Sequence, residues 1–177
     1  MDYRTRMRNL REDNDLTQKE MDFVLGQNTW GYVYPQSDAS KTSGVLKDAL
    51  MRAGGKPKVC DIDTYDCGGK GMGKPEFVMT FDKDRNTVLV VECKASVKKH
   101  ASPDFGQPDG YAVDGALYYA KFIKDHYNVI AVAVSGTSAD NYKANAYYWN
   151  KGLDKPLELD FLKEQSALTL EDTFQML

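Results

Sequence analysis

Apolar residues recur at helical spacing in two segments of the chain. The first segment begins at Val45, and the pair Gly54-Gly55 ends it. The second runs from Tyr111 to Asp125 and carries a continuous apolar stripe, formed by Ala112, Val113, Ala116, Leu117, Ala120 and Ile123. A further short helix, from about Gln18 to Leu25, is predicted by the capping box Thr17-x-x-Glu20. The two longer patterns each predict a helix with one face buried.

Short runs rich in β-branched and apolar residues predict strands. Two of them, Glu76 to Phe81 and Thr87 to Cys93, are joined by a polar cluster that suits a hairpin. The run Val129 to Val134 is apolar throughout, which is typical of a strand covered on both faces. The remaining assignments are a loop at Gln27 to Thr42, a further candidate strand at Ala146 to Trp149, and a helix within Leu157 to Leu170.

The order helix, strand, strand, helix, strand predicts a mixed sheet with helices on its faces, in an α/β or α+β sandwich. We divide the chain into an N-terminal helix and loop extension (1–42), a core (43–150) and a C-terminal helical segment (151–177) that could lead to a further domain. The sequence near its end looks cut just before or within another element, so we expect a module of a longer protein.

Composition changes this picture only slightly. Of the 177 residues, 42% are hydrophobic, which is enough for one folded domain, and 23 Lys+Arg against 26 Asp+Glu exclude a strongly basic nucleic-acid coat. The three cysteines, Cys60, Cys67 and Cys93, are too few for a disulfide scaffold and favour a reducing compartment. No apolar run reaches the length of a membrane span, and no signal peptide is recognisable. We therefore expect a cytoplasmic protein with no membrane partner.

Three charged residues stand out beside the predicted hairpin. A hairpin whose turn is centred near Asp84 sets Glu76 opposite Glu92, with their Cβ atoms about 5 Å apart on one face. Lys94 follows two residues later, and the period of two puts it on that face as well. Such charges beside an apolar strand are unfavourable unless they are paired or bound to metal.

Two readings of this cluster remain open. Two close carboxylates suit a hard divalent ion such as Mg²⁺, with the backbone carbonyl of Cys93 as a further ligand and Lys94 at the attacking water. The alternative is a cross-strand Glu–Lys salt bridge on a wet sheet face. A zinc site built from the cysteines and His100 fits no compact ligand spacing, and ordinary thiols are favoured.

The motif Pro75-Glu76, followed by Glu92-Cys93-Lys94 in this order of elements, resembles the PD-(D/E)xK nuclease superfamily. Four segments give a more specific resemblance. They are similar to the N-terminal nuclease region of single-chain restriction–modification proteins that carry an N6-adenine DNA methylase: Gly73 to Val78, Val90 to Ala95, Tyr111 to Ala120 and Val129 to Gly136. The similarity covers approximately Val45 to Trp149. One departure is Glu76, where the family pattern usually has Asp.

This resemblance implies a restriction-endonuclease-like core and a type II-like, Mg²⁺-dependent DNA endonuclease in which Mn²⁺ could substitute. It implies that Glu76, Glu92 and Lys94 are catalytic, with both glutamates and the Cys93 carbonyl as metal ligands. The implied partners are DNA, a fused or separate methyltransferase or target-recognition domain, and a second copy for double-strand cleavage. Because Glu replaces Asp at position 76, the alternative is a weak or inactive nuclease-fold module that docks DNA or a protein.

Several further residues are weaker candidates. Lys98, Lys99 and His100 follow the motif strand and could hold DNA phosphates, or they could form a solvated polar loop. Asp114 and Tyr118 have the spacing of a Gln-x3-Tyr motif found in some relatives, although helix packing is the favoured reading. Asp48 on the first long helix could reach the metal or be a surface charge. The aromatic residues Tyr147, Tyr148 and Trp149 could stack bases or pack at a sheet edge.

Overall fold

One mixed β-sheet organises the computed structural model, which describes residues 31–63, 68–138 and 141–159. Its six strands lie in chain order across the sheet, and β3 and β4 form the parallel pair while the other neighbours are antiparallel. The strands are β1 (Val33–Pro35), β2 (Phe77–Thr80), β3 (Thr87–Lys94), β4 (Asn128–Ser138), β5 (Asn141–Trp149) and β6 (Leu157–Leu159).

Two α-helices lie on one face of this sheet. Helix α1 (Gly44–Ala53) precedes β2, and α2 (Ala112–Ile123) connects β3 to β4. A parallel pair requires such a crossover, because a tight turn cannot return the chain to the same end of the sheet. Two short 3-10 helices, Gln36–Lys41 and Val97–Lys99, complete the elements of the described residues.

The side chains of β3 alternate between two hydrophobic clusters. Val88 and Val90 point into the cluster that contains α1 and α2, whereas Leu89 and Val91 point into a second cluster on the opposite face. All four are at most 2% exposed. The predicted strand at Val129 likewise contributes to both clusters, so the expectation of a strand covered on both faces is confirmed.

The predicted mixed sheet in an α+β architecture is confirmed, but both described α-helices lie on one face of the sheet instead of on its two faces, and the two ends of the sheet also differ from expectation. Val33–Pro35 forms a strand on β2 within the predicted loop. Leu157–Leu159 forms a strand on β5 where the helix was expected to begin. Both segments are three residues long, and pairing with an existing strand decides their conformation where the local pattern is too short to do so. The sheet therefore extends past positions 43 and 150.

Two predicted helices lie wholly or partly outside the described residues. The helix at Gln18 to Leu25 and the part of the C-terminal helix after residue 159 lie outside them. Within them, no helix is long and apolar enough to cross a membrane. Cys60 is disulfide-bonded, so the expectation of ordinary thiols is wrong for this residue, whereas Cys93 is not disulfide-bonded. Three cysteines are too few for a scaffold of several bridges, but two of them are enough for one bridge, which was not predicted from the sequence.

Candidate metal centre

The β2–β3 hairpin has the register that the sequence predicts. Phe77 pairs with Val91 and Thr80 pairs with Val88. The pairing ends at Phe77, and extending its register by one residue sets Glu76, which directly precedes β2, opposite Glu92. A slip of one residue would send the two carboxylates to different faces of the sheet, so this register is what gives them a common site.

Glu92 is almost completely buried, with 1% of its surface exposed. Its Oε1 accepts a hydrogen bond from the Lys56 ammonium, and Lys94 Nζ lies 3.8 Å from the same oxygen. The other oxygen, Oε2, is buried and has no hydrogen-bond partner among the described residues. A buried carboxylate oxygen without a partner is costly, and this cost is removed when a cation or another donor binds there.

The two glutamates are electrostatically coupled. Burial raises the pKa of Glu92, the Lys56 and Lys94 ammonium groups oppose that rise, and the negative charge of Glu76 adds to it. Glu76 itself is half-buried. Because both carboxyl groups act on the same electrostatic site, a cation that binds near Glu92 also gains from the charge of Glu76.

Sequence reasoning missed two residues of this site, Lys56 and Tyr119. Lys56 comes from the segment after α1, its side chain is 11% exposed, and its Nζ lies 5.4 Å from the centre of the Tyr119 ring. The Tyr119 hydroxyl accepts a hydrogen bond of 3.2 Å from the Lys74 backbone N–H. Burial, together with the charges of Glu92 and Glu76, raises the pKa of Tyr119. Lys56 lies in a glycine-rich connection, where no periodic pattern points to it. Tyr119 looks in the sequence like any other apolar residue of a helix.

Lys94 and Cys93 diverge as the period of two requires. Lys94 lies on the side of Glu92 and is 24% exposed, so its ammonium is accessible from solvent. The Cys93 side chain instead packs against the second cluster, on the opposite face. The Cys93 backbone carbonyl stays a predicted ligand.

The donor set fits a hard divalent cation. The buried Glu92 carboxylate carries an oxygen without a partner among the described residues, and the negative charge of Glu76 acts on it. Across residues 31–63, 68–138 and 141–159 there is no group of three or more His, Cys, Asp and Glu side chains that could hold a metal. The remaining coordination positions would therefore belong to water and backbone oxygen, a mixture that Mg²⁺ tolerates better than metals that prefer nitrogen or sulfur ligands.

Asp114 and Tyr118 are tied to the packing of α2. The Asp114 carboxylate is fully buried and accepts hydrogen bonds from Ser102 N–H at 3.0 Å and from Gln107 N–H at 2.9 Å. The Tyr118 hydroxyl donates to the Ala53 carbonyl at the end of α1. These contacts support helix packing, the favoured reading, over a role at the metal. Asp48 is exposed on α1, as expected for a surface charge.

His100 is likewise bound to the fold. It is 7% exposed, its Nε2 bonds to Asn145 Oδ1 at 2.5 Å, and its Nδ1 bonds to the Ser135 hydroxyl at 2.8 Å. An amide oxygen only accepts, so Nε2 carries the proton and Nδ1 is the acceptor. With both ring nitrogens engaged, His100 is not positioned as a phosphate ligand.

The phosphate contact of the neighbouring lysines stays a prediction. Lys98 and Lys99 are exposed, and Lys99 Nζ lies 5.0 Å from the centre of the Tyr111 ring. The aromatic pair Tyr147 and Trp149 is buried in the helix-side cluster, which favours packing over base stacking.

Comparison with known proteins gives no match: no family model, no curated protein and no solved structure is similar to this chain.

Proposed function

We propose that this chain is a Mg²⁺-dependent DNA endonuclease domain of the PD-(D/E)xK type, with a restriction-endonuclease-like core. The observation that carries the proposal is the buried Glu92 carboxylate, which has Lys94 beside it, is acted on by the charge of Glu76 and keeps one oxygen without a partner among the described residues. A nuclease of this type needs this combination: acids to hold a metal and a cation to meet the reacting groups.

The topology supports the same proposal. The elements α1, β2, β3, α2 and β4 follow one another in the helix, strand, strand, helix, strand order on which the family resemblance rests. Glu92 lies in β3, Glu76 directly precedes the antiparallel partner strand β2, and β4 lies parallel to β3. Glu92 thus lies near the end of β3, against Gly115 of α2.

Each residue has a defined role in the proposed reaction. Glu76 and Glu92 would hold the metal, with the Cys93 carbonyl as a further ligand. A bound Mg²⁺ supplies polarisation of the phosphodiester and lowers the pKa of a coordinated water. Lys94, whose ammonium is accessible, would orient the attacking water and stabilise the negative charge that develops on the phosphate.

The proposed DNA contact is weak in the isolated chain. Lys98 and Lys99 are exposed one turn beyond the motif strand, where they would contact phosphates. The net charge of −3 opposes binding of a polyanion. We therefore propose that the chain is the cleavage module of a restriction–modification enzyme, in which a methyltransferase or target-recognition domain supplies affinity and a second copy cuts the other strand.

Cleavage of supercoiled plasmid tests this function. The chain is incubated at high concentration with Mg²⁺ or Mn²⁺, beside Glu92→Gln and the control Asp82→Asn, which changes an exposed acid of the hairpin turn. We expect nicking by the parent and the control, none by Glu92→Gln, and none with EDTA. Activity of Glu92→Gln at the parent rate would refute the proposed site.

One observation favours a second candidate, a non-catalytic module that keeps this fold for docking. The ion pair of Glu92 with Lys56 compensates the buried charge without any metal. Calorimetric titration with Mn²⁺ separates the two functions, because a docking module has no need to bind metal at Glu76 and Glu92.

A further inference from the structure

The ammonium of Lys56 occupies a position that the proposed metal would need. It donates directly to Glu92 Oε1 and is almost enclosed, with 11% of the side chain exposed. Tyr119 flanks it, with 5.4 Å between Nζ and the ring centre. A cation is therefore already bound to the Glu92 carboxylate in the described structure, and the chain itself supplies it.

The net charge of the cluster determines how the Lys56–Glu92 contact affects metal binding. Glu76 and Glu92 carry two negative charges, and Lys56 and Lys94 carry two positive ones, so the cluster is neutral as it stands. A divalent cation approaching a neutral cluster gains little from long-range attraction and is repelled by the nearest ammonium. If Lys56 leaves, the cluster has a charge of −1, and the Oε1 lone pairs join Oε2 in facing the ion.

Lys56 is also the lysine that can leave. It lies in the connection after α1, where Gly55 and Lys58 are exposed and the adjacent Pro57 is half-buried, so rotation about side-chain bonds can carry its ammonium towards water. Lys94 differs, because it is anchored in β3 and lies 3.8 Å from Oε1 rather than in direct contact. Its ammonium can remain beside the site when the ion enters.

From these contacts we infer that Lys56 is a built-in counter-ion that competes with the divalent metal for Glu92 and is displaced when the metal binds. The inference rests on the proposed function, since it requires metal binding at Glu76 and Glu92. Lys56 would thus control the affinity for the metal, whereas Lys94 would act at the attacking water.

Calorimetric titration of the full chain with Mn²⁺, without DNA, tests the competition. Lys56→Gln keeps a hydrogen-bond donor for Glu92 but removes the charge, and Lys58→Gln removes the same charge from an exposed position two residues away. We expect Lys56→Gln to bind Mn²⁺ at least about tenfold more tightly than the parent, because a unit charge in contact is removed. Lys58→Gln should bind like the parent.

The possible results separate the inference from the function beneath it. Equal or weaker binding by Lys56→Gln, with a parent that binds, overturns the competition and leaves the metal site standing. Absence of binding in both the parent and Lys56→Gln refutes the metal site and the inference with it. Binding by Lys56→Gln alone supports both.

A measurement on the parent chain covers the case in which the variant does not fold. Lysine acetylation by a water-soluble reagent, read out by mass spectrometry, reports how accessible each ammonium is. We expect Mn²⁺ to increase labelling of Lys56 severalfold while labelling of Lys58 stays constant. Unchanged labelling of Lys56 at saturating Mn²⁺ would overturn the displacement.

Discussion

Gly115 of α2 lies directly against the side chain of Glu92. A Cβ atom at position 115 would come within 2.9 Å of Glu92 Cγ and within 2.9 Å of the Pro108 carbonyl oxygen. Both separations are shorter than ordinary van der Waals contact, so the helix admits the buried carboxylate because residue 115 has no side chain. Glycine is less favourable than alanine inside a helix by about 1 kcal/mol, but only glycine leaves room here for the Glu92 side chain.

Gly115→Ala should therefore destabilise the protein although alanine is the better helix former. We expect the free energy of unfolding to fall by about 1–3 kcal/mol, because Glu92 or the Pro108 loop must shift. Urea denaturation measures the loss, and Mn²⁺ affinity should fall with it. Gly110→Ala is the matched control, since its Cβ would meet only the Gln107 carbonyl oxygen at 3.7 Å. Equal stability of the two variants would contradict close packing at Gly115.

Asp114→Asn should loosen the loop that precedes α2. The amide keeps one acceptor oxygen but turns a donor towards Ser102 or Gln107, whose N–H groups now bond to the carboxylate. We expect a loss of about 1–3 kcal/mol in unfolding free energy and faster amide exchange at both residues. Asp109→Asn, an exposed acid of the same loop, serves as the control. Unchanged exchange would show that these hydrogen bonds do not order the loop.

The parts of the fold that the sequence predicts are those with long, regular patterns. The apolar stripe of Ala112 to Ile123 and the uniform run at Val129 specify α2 and β4 because each buries many side chains. The hairpin register followed from the position of the polar turn near Asp84. By contrast, β1 and β6 depend on pairing with β2 and β5, and three residues hold too little pattern to show it.

In the candidate site, too, some relations between residues can be predicted from the sequence and others cannot. The register of two paired strands relates Glu76 to Glu92, the period of two relates Lys94 to Glu92, and both relations are readable in a sequence. Lys56 reaches Glu92 from 36 positions away, through a connection without any repeat. For His100 the local sequence points to the wrong partner. Two neighbouring lysines indicate a phosphate contact, but Ser135 and Asn145 on distant strands bind the His100 ring.

His100 should make stability depend on pH below neutrality. Burial lowers its pKa from the ordinary value of 6.5, and the hydrogen bond to Asn145 only partly opposes this. The unfolded chain therefore binds a proton at a higher pH than the folded chain, so stability is lost as pH falls from about 6.5 through the folded-state pKa. Each unit of difference between the two pKa values is worth about 1.4 kcal/mol.

The His100→Gln variant checks this dependence by urea denaturation at pH 7, 6 and 5. We expect it to be less stable than the parent at pH 7, by about 1–3 kcal/mol, because its hydrogen bonds to Ser135 and Asn145 are disturbed. The gap should narrow towards pH 5. His126→Gln changes an exposed histidine and should keep the parent's slope. A gap that widens towards low pH would contradict a histidine that is neutral in the folded state.

Lys94→Ala should separate catalysis from metal binding. An ammonium cannot be a metal ligand, and Lys94 Nζ stands 3.8 Å from Glu92 Oε1, close enough to act at the proposed water. We expect plasmid cleavage to fall by about 10²–10³-fold, the usual effect of removing one preorganised charge-stabilising group. Mn²⁺ affinity should stay unchanged or rise slightly, because a nearby positive charge is gone. Lys83→Ala, which removes an exposed lysine of the hairpin turn, is the control and should cut like the parent. If Lys94→Ala binds Mn²⁺ normally and cuts at the parent rate, Lys94 is an ion-pair partner of Glu92 and takes no part in the proposed chemistry.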